Sequence, residues 1–407
     1  MVDQSGPKCL NDARKSSAAY DPVLVCRLVQ REQACSVWNW HPVDEMDTAK
    51  HDDSDQTPSP WLVRIPEIFE SLADELLDRF SSPSSTRLGH DYYVVPTNLR
   101  QAIQHSEEAK FLRWNLPLEH TWPCNAKKMD GFIEKAAQAL VVKFRHRKPQ
   151  GIFMGQLNPG SPDSYYKGLA SNLRGRTLQL FPDLSAGTVE DQDPSMESLF
   201  CLVGKEGLFC GMQSPRASNG LYAGGSKYID KASPDTISRA GAKVAEALHY
   251  LLMHRPPLTK GSHWIELGAS PGGMTSELLN RKQRVTAIDR APLDKRLQKS
   301  SGLTFVKSDV GTFQPRDGTA YDAILSDLNG PPEESIAHVI RFSRYLKPTG
   351  FVIFTLKVPR MDTIDAPCAL FRQIRDQAGR HGLRLFTQTH LTYNRHEFTL
   401  FFEKDRR

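Results

Sequence analysis

No stretch of the 407 residues stays apolar for the roughly 20 positions that a membrane-crossing helix needs. No membrane association is therefore expected. The opening "MVDQSGPKCLNDARKSS" lacks the apolar core of a secretory leader. The seven cysteines are scattered singly and never form a CxxC pair. An odd count without ligand spacing argues for reduced thiols in a cytoplasmic compartment, and against structural zinc. No metal is expected. Neither sign of charge dominates: 52 lysines and arginines face 47 acids, for a net charge of +5 and a pI near 8.7. That mild excess permits a nucleic-acid partner without demanding one. Internal repeats are absent, and so is the GxGxxG loop of a dinucleotide site.

The composition that remains, 39% hydrophobic and 24% charged, is ordinary for a globular chain. The length exceeds what one core normally serves, so two or three domains are expected. Residues 1–57 form an N-terminal extension of unassigned role. Within it "DPVLVCRLVQ" has strand character, and "DTAKHDDSDQTPSP" reads as a polar linker. Residues 58–232 form an α+β region. "PEIFESLADELLDRF" places Ile68, Phe69, Leu72, Leu76 and Leu77 on one face of a helix opened by proline. "DYYVVPTN" reads as a strand, and "KKMDGFIEKAAQALVVKFRHRKP" as a second amphipathic helix. "LRGRTLQLF" reads as a strand, and "SLFCLVGKEGLFCGMQS" as a hairpin turning at Gly204–Gly207.

From Ser233 the pattern changes. The helix "DTISRAGAKVAEALHYLLM" is followed by strands alternating with helices: "HWIELG", "RVTAID", "LTFVKSD", "YDAILSD", "GFVIFTLK", "RLFTQTHL" and "EFTLFFE". Alternation predicts a mostly parallel, Rossmann-like α/β sheet with helices on both faces over 233–407. The last two strands have no helix between them and should pair antiparallel at the sheet edge.

Ligands of such sheets bind at the carboxyl ends of the strands. There "ELGASPGGMTSELL" breaks a strand into Gly268, Ala269, Ser270, Pro271, Gly272, Gly273 and Met274 before a helix restarts. Glycine at that place lets backbone approach a ligand closely. Asp289 ends the second strand, 21 positions after Gly268, where a carboxylate can accept both hydroxyls of a ribose. Asp309 follows the third strand, within reach of an adenine amino group. A dinucleotide would want the missing second close glycine. S-adenosylmethionine carries no phosphate and does not need that turn, so it is the expected cofactor. Ordinary α/β turns are the plain alternative.

Asp327 ends the fourth strand and Lys357 the fifth. Lys243 lies in the helix before the first strand with Arg239 one turn earlier, and Glu397 begins the last strand. A lysine ending an apolar strand loses solvent, which lowers its pKa, while neighbouring carboxylates raise it. Singly, strand-end acids cap helices and lysines face water. Together the four suit a site around one reacting oxygen.

The set Lys243, Asp327, Lys357 and Glu397 resembles the K-D-K-E tetrad of the FtsJ-like ribose 2′-O-methyltransferases, and "ELGASPGGMT" resembles their glycine loop. Within that family the chain is most similar to the bacterial enzymes that methylate a cytidine ribose of 23S ribosomal RNA. "ASPDTISRAGAK", "FTLKVPR" and "LTYNRHEFTLFF" carry this likeness, specific over 233–407 and looser from about residue 60. Upstream, "WLVRIPEIFESLADEL" and "AKFLRWNLPL" resemble the family's ferredoxin-like segment, and "ESLFCLVGKEGLFCGMQSPRASN" resembles the end of its RNA-binding THUMP module. Ser270 stands where those relatives carry cysteine, Met274 where they carry tryptophan, and "DLNGPPEES" differs outright.

The resemblance implies an S-adenosylmethionine-dependent enzyme with Lys357 as base, Asp327 orienting it, and Lys243 with Glu397 tuning the pair and holding the ribose. The loop residues with Asp289, Asp309 and Asp327 would hold the cofactor. The partner would be ribosomal RNA, and a monomer is the expected state. "KFRHRK" (Lys143–Lys148), "LRGR" (Leu173–Arg176) and "DKRLQK" (Asp294–Lys299) are candidate backbone contacts, although charge runs are usually plain solvated faces. Three other readings compete: a silent RNA-binding relative, a nicotinamide oxidoreductase and a base methyltransferase. The intact tetrad opposes the first. The missing GxGxxG opposes the second. "SDLNGPP", which lacks the tyrosine of an Asn-Pro-Pro-Tyr loop, opposes the third.

Overall fold

A computed structural model describes residues 60–80, 84–158, 165–181, 184, 188–227, 237–359 and 361–405. The strand and linker expected before residue 60 lie outside the described residues. Residues 56–407 form one compact body.

Two small sheets precede a large one. In the first, β1 (Trp61–Arg64), β2 (Thr86–Leu88), β3 (Tyr92–Val95) and β4 (Trp114–Pro117) run antiparallel in the order β2-β3-β1-β4. A 3-10 turn over Glu67–Leu72 leads into α1 (Ala73–Arg79), and α2 spans Arg100–His105. Phe69, Leu72, Leu76 and Leu77 are buried as their spacing predicts, but Ile68 is 40% exposed. The tighter first turn rotates it off the buried face.

The second sheet contains β5 (His120–Trp122), β6 (Ile152–Gln156), β7 (Ser198–Gly204) and β8 (Gly207–Gln213) in the order β5-β8-β7-β6. Helices α3 (Phe132–Phe144) and α4 (Tyr165–Leu180) cover one face; α5 is the short Pro215–Ser218 turn. The β7–β8 hairpin forms as expected, with Gly204 opposite Gly207. "LRGRTLQLF", expected to be a strand, belongs to α4. Its buried residues Leu169, Ala170, Leu173 and Thr177 follow a helical period that begins upstream of that segment. Read alone, the nine residues hide the repeat.

The large sheet is built from β9 (His263–Leu267), β10 (Arg284–Asp289), β11 (Leu303–Lys307), β12 (Tyr321–Ser326), β13 (Leu346–Lys357), β14 (Leu383–Thr389) and β15 (Glu397–Lys404). Its order is β11-β10-β9-β12-β13-β15-β14: the first five are parallel, and the last two pair antiparallel with β15 inserted beside β13. The flanking helices are α6 (Ala240–Leu251), α7 (Gly273–Asn280), α8 (Pro332–Ser343) and α9 (Asp365–Arg380). This is the expected Rossmann-like class. No helix among the described residues is long and apolar enough to cross a membrane.

One core joins the lobes. Phe69, Leu76 and Phe111 from the N-terminal half pack in the same cluster as Phe371, Phe398 and Leu400. The two small sheets meet through Leu62, Trp114, Phe200 and Phe209. There β8 runs so close to β4 that a Cβ at Gly211 would sit on the carbonyl oxygen of Pro117. By contrast, a Cβ at Gly168 in α4 would meet nothing within 4 Å. Gly211→Ala should therefore cost about 1–3 kcal/mol by overpacking, whereas Gly168→Ala should stabilise by roughly 0.5–1 kcal/mol through helix propensity. Urea unfolding of the two variants checks the opposite signs.

Candidate functional site

The site begins where β9 stops. Gly268 takes φ +82° and Gly272, which caps α7, takes φ +106°. These are backbone conformations that a side chain opposes. The loop is pinned to β10: Gly268 and Ala269 donate N–H groups to the Ile288 carbonyl at 3.0 and 3.2 Å. Asp289 accepts the Ser270 N–H at 2.9 Å and the Ala291 N–H at 2.8 Å. Part of the carboxylate expected to face a ribose therefore fixes the loop. Asp309 accepts the Gly311 N–H at 2.7 Å and lies 3.6 Å from Arg290.

A cleft of about 480 Å³ opens at the carboxyl ends of the strands. Gly268, Ala269, Ser270, Pro271, Gly273, Met274, Asp289, Asp309 and Asp327 all line it. Gly272 does not. It is set back where a Cβ would strike Leu297, so its part is conformational. Five carboxyl groups, Glu266, Asp289, Asp309, Asp327 and Glu334, face this space against Arg290 and His338. Burial and the nearby Arg341 hold the His338 imidazole below its ordinary range. The balance of the cleft is thus acidic.

Glu266 is the member whose role the sequence did not disclose. It is the last residue but one of β9, 2% exposed, and accepts a hydrogen bond from Thr275 Oγ1 at 2.7 Å. Burial pushes its carboxyl up to about 8, the hydroxyl of Thr275 opposes the rise, and the charges of Asp327 and Asp289 reinforce it. An acid inside the otherwise apolar strand "HWIELG" was the available signal.

The four residues singled out, three at strand ends and Lys243 on α6, come together. In the β13–β15 ladder Lys357 stands directly opposite Glu397. Lys357 Nζ lies 2.7 Å from Asp327 Oδ1 and 3.0 Å from Glu397 Oε2. Lys243, reaching from α6, pairs with Glu397 Oε1 and lies 3.6 Å from Asp327 Oδ2. Each carboxylate thus touches both lysines, and each lysine both carboxylates. Side-chain exposures of 17%, 16%, 27% and 8% for Lys243, Asp327, Lys357 and Glu397 keep the ring largely out of water. Desolvation lowers the Lys357 pKa, but the attraction of Asp327 and Glu397 outweighs it, and the ammonium ends above its ordinary value. The two lysines hold the Glu397 carboxyl below its ordinary range against its own burial. Arg239, one turn before Lys243, is exposed.

The basic stretches are partly neutralised at home. Arg147 pairs with Glu119 and Glu197, Arg176 with Glu134, and Arg296 with Asp294. Among the described residues no cluster of histidine, cysteine and acid could hold a metal ion.

Glu266 yields a stability prediction. In the folded chain it keeps its proton up to about pH 8, whereas the unfolded chain releases it near the ordinary glutamate value of 4.5. The folded state therefore binds the extra proton between those values. Stability from this group is complete below the lower value and falls as pH rises through the upper one. Glu266→Gln should flatten that fall and raise stability at pH 8 on the order of a few kcal/mol relative to the parent. Thermal unfolding from pH 5 to 8.5 measures it, and parallel curves for the two proteins would contradict the assignment.

Comparison with known proteins fits this geometry. Residues 236–383 match the model of the FtsJ-like methyltransferase family. A ribosomal RNA large subunit methyltransferase M from Thauera aminoaromatica is 32% identical over 170 residues, which cover 40% of this chain and 45% of the relative. One of the same description from Shewanella amazonensis is 27% identical over 259 residues, covering 60% of this chain and 70% of the relative. The chain thus spans under half the length of the first of these. The glycine loop and the five parallel strands of the large sheet all fall within residues 236–383, the stretch of the chain that matches the FtsJ-like methyltransferase family.

Proposed function

We propose that the chain transfers a methyl group from S-adenosylmethionine to a ribose 2′-hydroxyl of RNA, with large-subunit ribosomal RNA as the substrate. The observation that carries this reading is the closed ring of Lys243, Asp327, Lys357 and Glu397, one member of which, Asp327, also lines the cofactor cleft. The descriptions of the two relatives support the choice of RNA. Residues 58–232 would serve as the ferredoxin-like and THUMP-like RNA-binding region. A monomer is the proposed state and the cytoplasm the proposed setting.

The cleft fits the cofactor by charge. Four carboxylates, Asp289, Asp309, Asp327 and Glu334, beside a neutral Glu266 and against one arginine would repel a pyrophosphate and attract a sulfonium and an ammonium. Glycine backbone at Gly268 leaves room for close approach, and Asp289 and Asp309 retain lone pairs for ribose and adenine groups. When bound, S-adenosylmethionine supplies an electrophilic methyl that needs in-line approach more than activation.

The ring then explains how a poor nucleophile is readied. A neutral Lys357 amine has two N–H groups and one lone pair. Asp327 and Glu397 take the two N–H groups, so the lone pair is left for the 2′-hydroxyl proton. As the new C–O bond forms, that proton passes to Lys357 Nζ. Lys243 offsets the two carboxylates and keeps them from making Lys357 a still weaker base. The 2′-hydroxyl requirement separates RNA from DNA.

Total ribosomal RNA from a strain lacking the gene, incubated with labelled S-adenosylmethionine, should acquire one mark that resists alkaline cleavage. Lys357→Ala should lose about 10²–10⁴-fold in rate with cofactor affinity retained. Label that is alkali-labile, or a mark undiminished in the variant, would overturn the reaction or the base respectively. Because the carboxylates raise the Lys357 pKa, the neutral amine is scarce at pH 7. The single-turnover rate should climb close to tenfold per pH unit from about pH 6.5 to 9. A flat profile would remove Lys357 as the base.

A further inference from the structure

Lys243 shares its face of α6 with Glu246, one turn further on. Glu246 is 1% exposed and touches no member of the ring among the contacts described. Its carboxylate is fully engaged. Oε1 accepts from Arg113 Nη2 at 3.1 Å and from Thr392 Oγ1 at 2.8 Å, and Oε2 accepts the Thr392 N–H at 2.8 Å. Arg113 comes from the other lobe, immediately before β4. It is 3% exposed, and its other nitrogen reaches the Asn219 carbonyl at 3.2 Å and Thr389 Oγ1 at 3.4 Å.

These contacts gather three distant segments: the helix that carries Lys243, the 390–396 turn that delivers Glu397, and the N-terminal lobe. The same turn is braced from below. Phe69 of the N-terminal lobe stacks on Phe398 at 5.4 Å and meets the His390 ring at 4.8 Å, and Phe111 meets Phe398 edge-on at 5.6 Å. His390 Nε2 donates to the Arg395 carbonyl, 3.0 Å away, which ties the two ends of the turn.

We infer that Glu246, held by Arg113 of the N-terminal lobe and clamping Thr392, is a positioning residue that sets Glu397 and Lys243 against Lys357. The N-terminal lobe is then part of the catalytic apparatus as well as an RNA-binding platform. Removing one partner of a buried ion pair leaves the other charge stranded. The turn would relax, and Glu397 would withdraw from Lys357. Less carboxylate contact means a lower Lys357 pKa. The charged or titratable groups facing Lys357 or its carboxylate partners are Asp327 from the end of β12, Glu397 from β15, Lys243 from α6, His390 from the turn and Glu266 from β9.

This inference rests on the proposed function for its kinetic arm alone. The other arm needs no RNA: titration of the Lys357 side chain by NMR of lysine-labelled protein, the signal assigned with Lys357→Arg. In full-length protein, Glu246→Gln and the milder Thr392→Val should each lower the Lys357 midpoint by about half a pH unit or more. Arg113→Lys, which keeps the charge, should lower it less than Arg113→Met. With RNA, kcat should fall about 3–30-fold while KM for RNA and the affinity for S-adenosylmethionine stay within about twofold. A role in stability alone would lower Tm and the active fraction and leave the midpoint where it is. Folded Thr392→Val with an unmoved midpoint would overturn the inference, even where Glu246→Gln fails to fold. Shifted midpoints in a protein that methylates no RNA would uphold it and sink the proposed function instead.

Discussion

Two lysines and two carboxylates, each touching both of its opposites, form the contact on which the rest of this structure depends. Alone, any of the four would be costly so far from water. Closed into a ring, the charges satisfy one another at 2.7–3.6 Å along the contacts from Lys357 and across from Lys243 to Asp327. No two of the four lie on the same element. Asp327 follows β12, Lys357 ends β13, Glu397 opens β15 and Lys243 rides on α6. The parallel sheet provides the first two because all its strands end on one side. The antiparallel insertion of β15 provides the third by pointing its first residue at the last residue of β13. The fold therefore builds the ring from one geometric fact, the edge where strands of opposite direction meet.

The same edge accounts for the tight joining of the two lobes. β14 runs in the direction of β13 and β15 returns between them, so the turn joining the two lies at the carboxyl end of β13, against Phe69 and Arg113 of the N-terminal half. That turn carries buried His390, whose imidazole burial pushes down to about 4, and it therefore stays neutral at physiological pH. An uncharged ring can pack edge-on against Phe69 and Phe398 without a desolvation cost that the aromatic contacts would have to offset. Beneath it Arg113 and Glu246 bury opposite charges in contact. Apolar and ionic contacts thus secure one turn from two sides.

What could be read from the sequence divides along sequence distance. The Gly268–Gly273 loop, Asp289, Asp309, Asp327, Lys357 and Glu397 were legible because each stands at the end of an apolar strand, and the alternation of strands and helices says where those ends meet; Lys243, on the helix before the first strand, was legible through the family resemblance. The face of α4 was not legible from "LRGRTLQLF", whose helical period becomes visible only with the preceding turn. Ile68 fitted an ideal helical stripe, and the 3-10 turn moved it out. Arg113, Glu246 and Thr392 lie 133 and 146 positions apart along the chain from their partners. No local pattern marks a buried ion pair, and a Glu in an amphipathic helix ordinarily reads as solvated. Glu266 sat inside the quoted motif, yet its neutral state comes from burial between neighbouring strands, which a one-dimensional pattern does not contain.

The proposed base must lose its proton, yet the ring holds the Lys357 proton in place. The two demands are reconciled by geometry. The carboxylates that raise the pKa also fix both N–H directions of the amine, so the lone pair has one place to point. A less tightly held lysine would deprotonate more readily and would sample rotamers in which the lone pair missed the ribose, and misalignment costs more rate than a unit of pKa recovers. The acidic cleft alongside has the complementary bias. It favours a cationic ligand, and a positive charge placed beside Asp327 draws on the same carboxylate that holds Lys357. Binding of a sulfonium there would weaken the grip on the Lys357 proton just when the methyl arrives. The ring and the cleft share Asp327, and through that one side chain the charge of the proposed cofactor would be coupled to the strength of the proposed base.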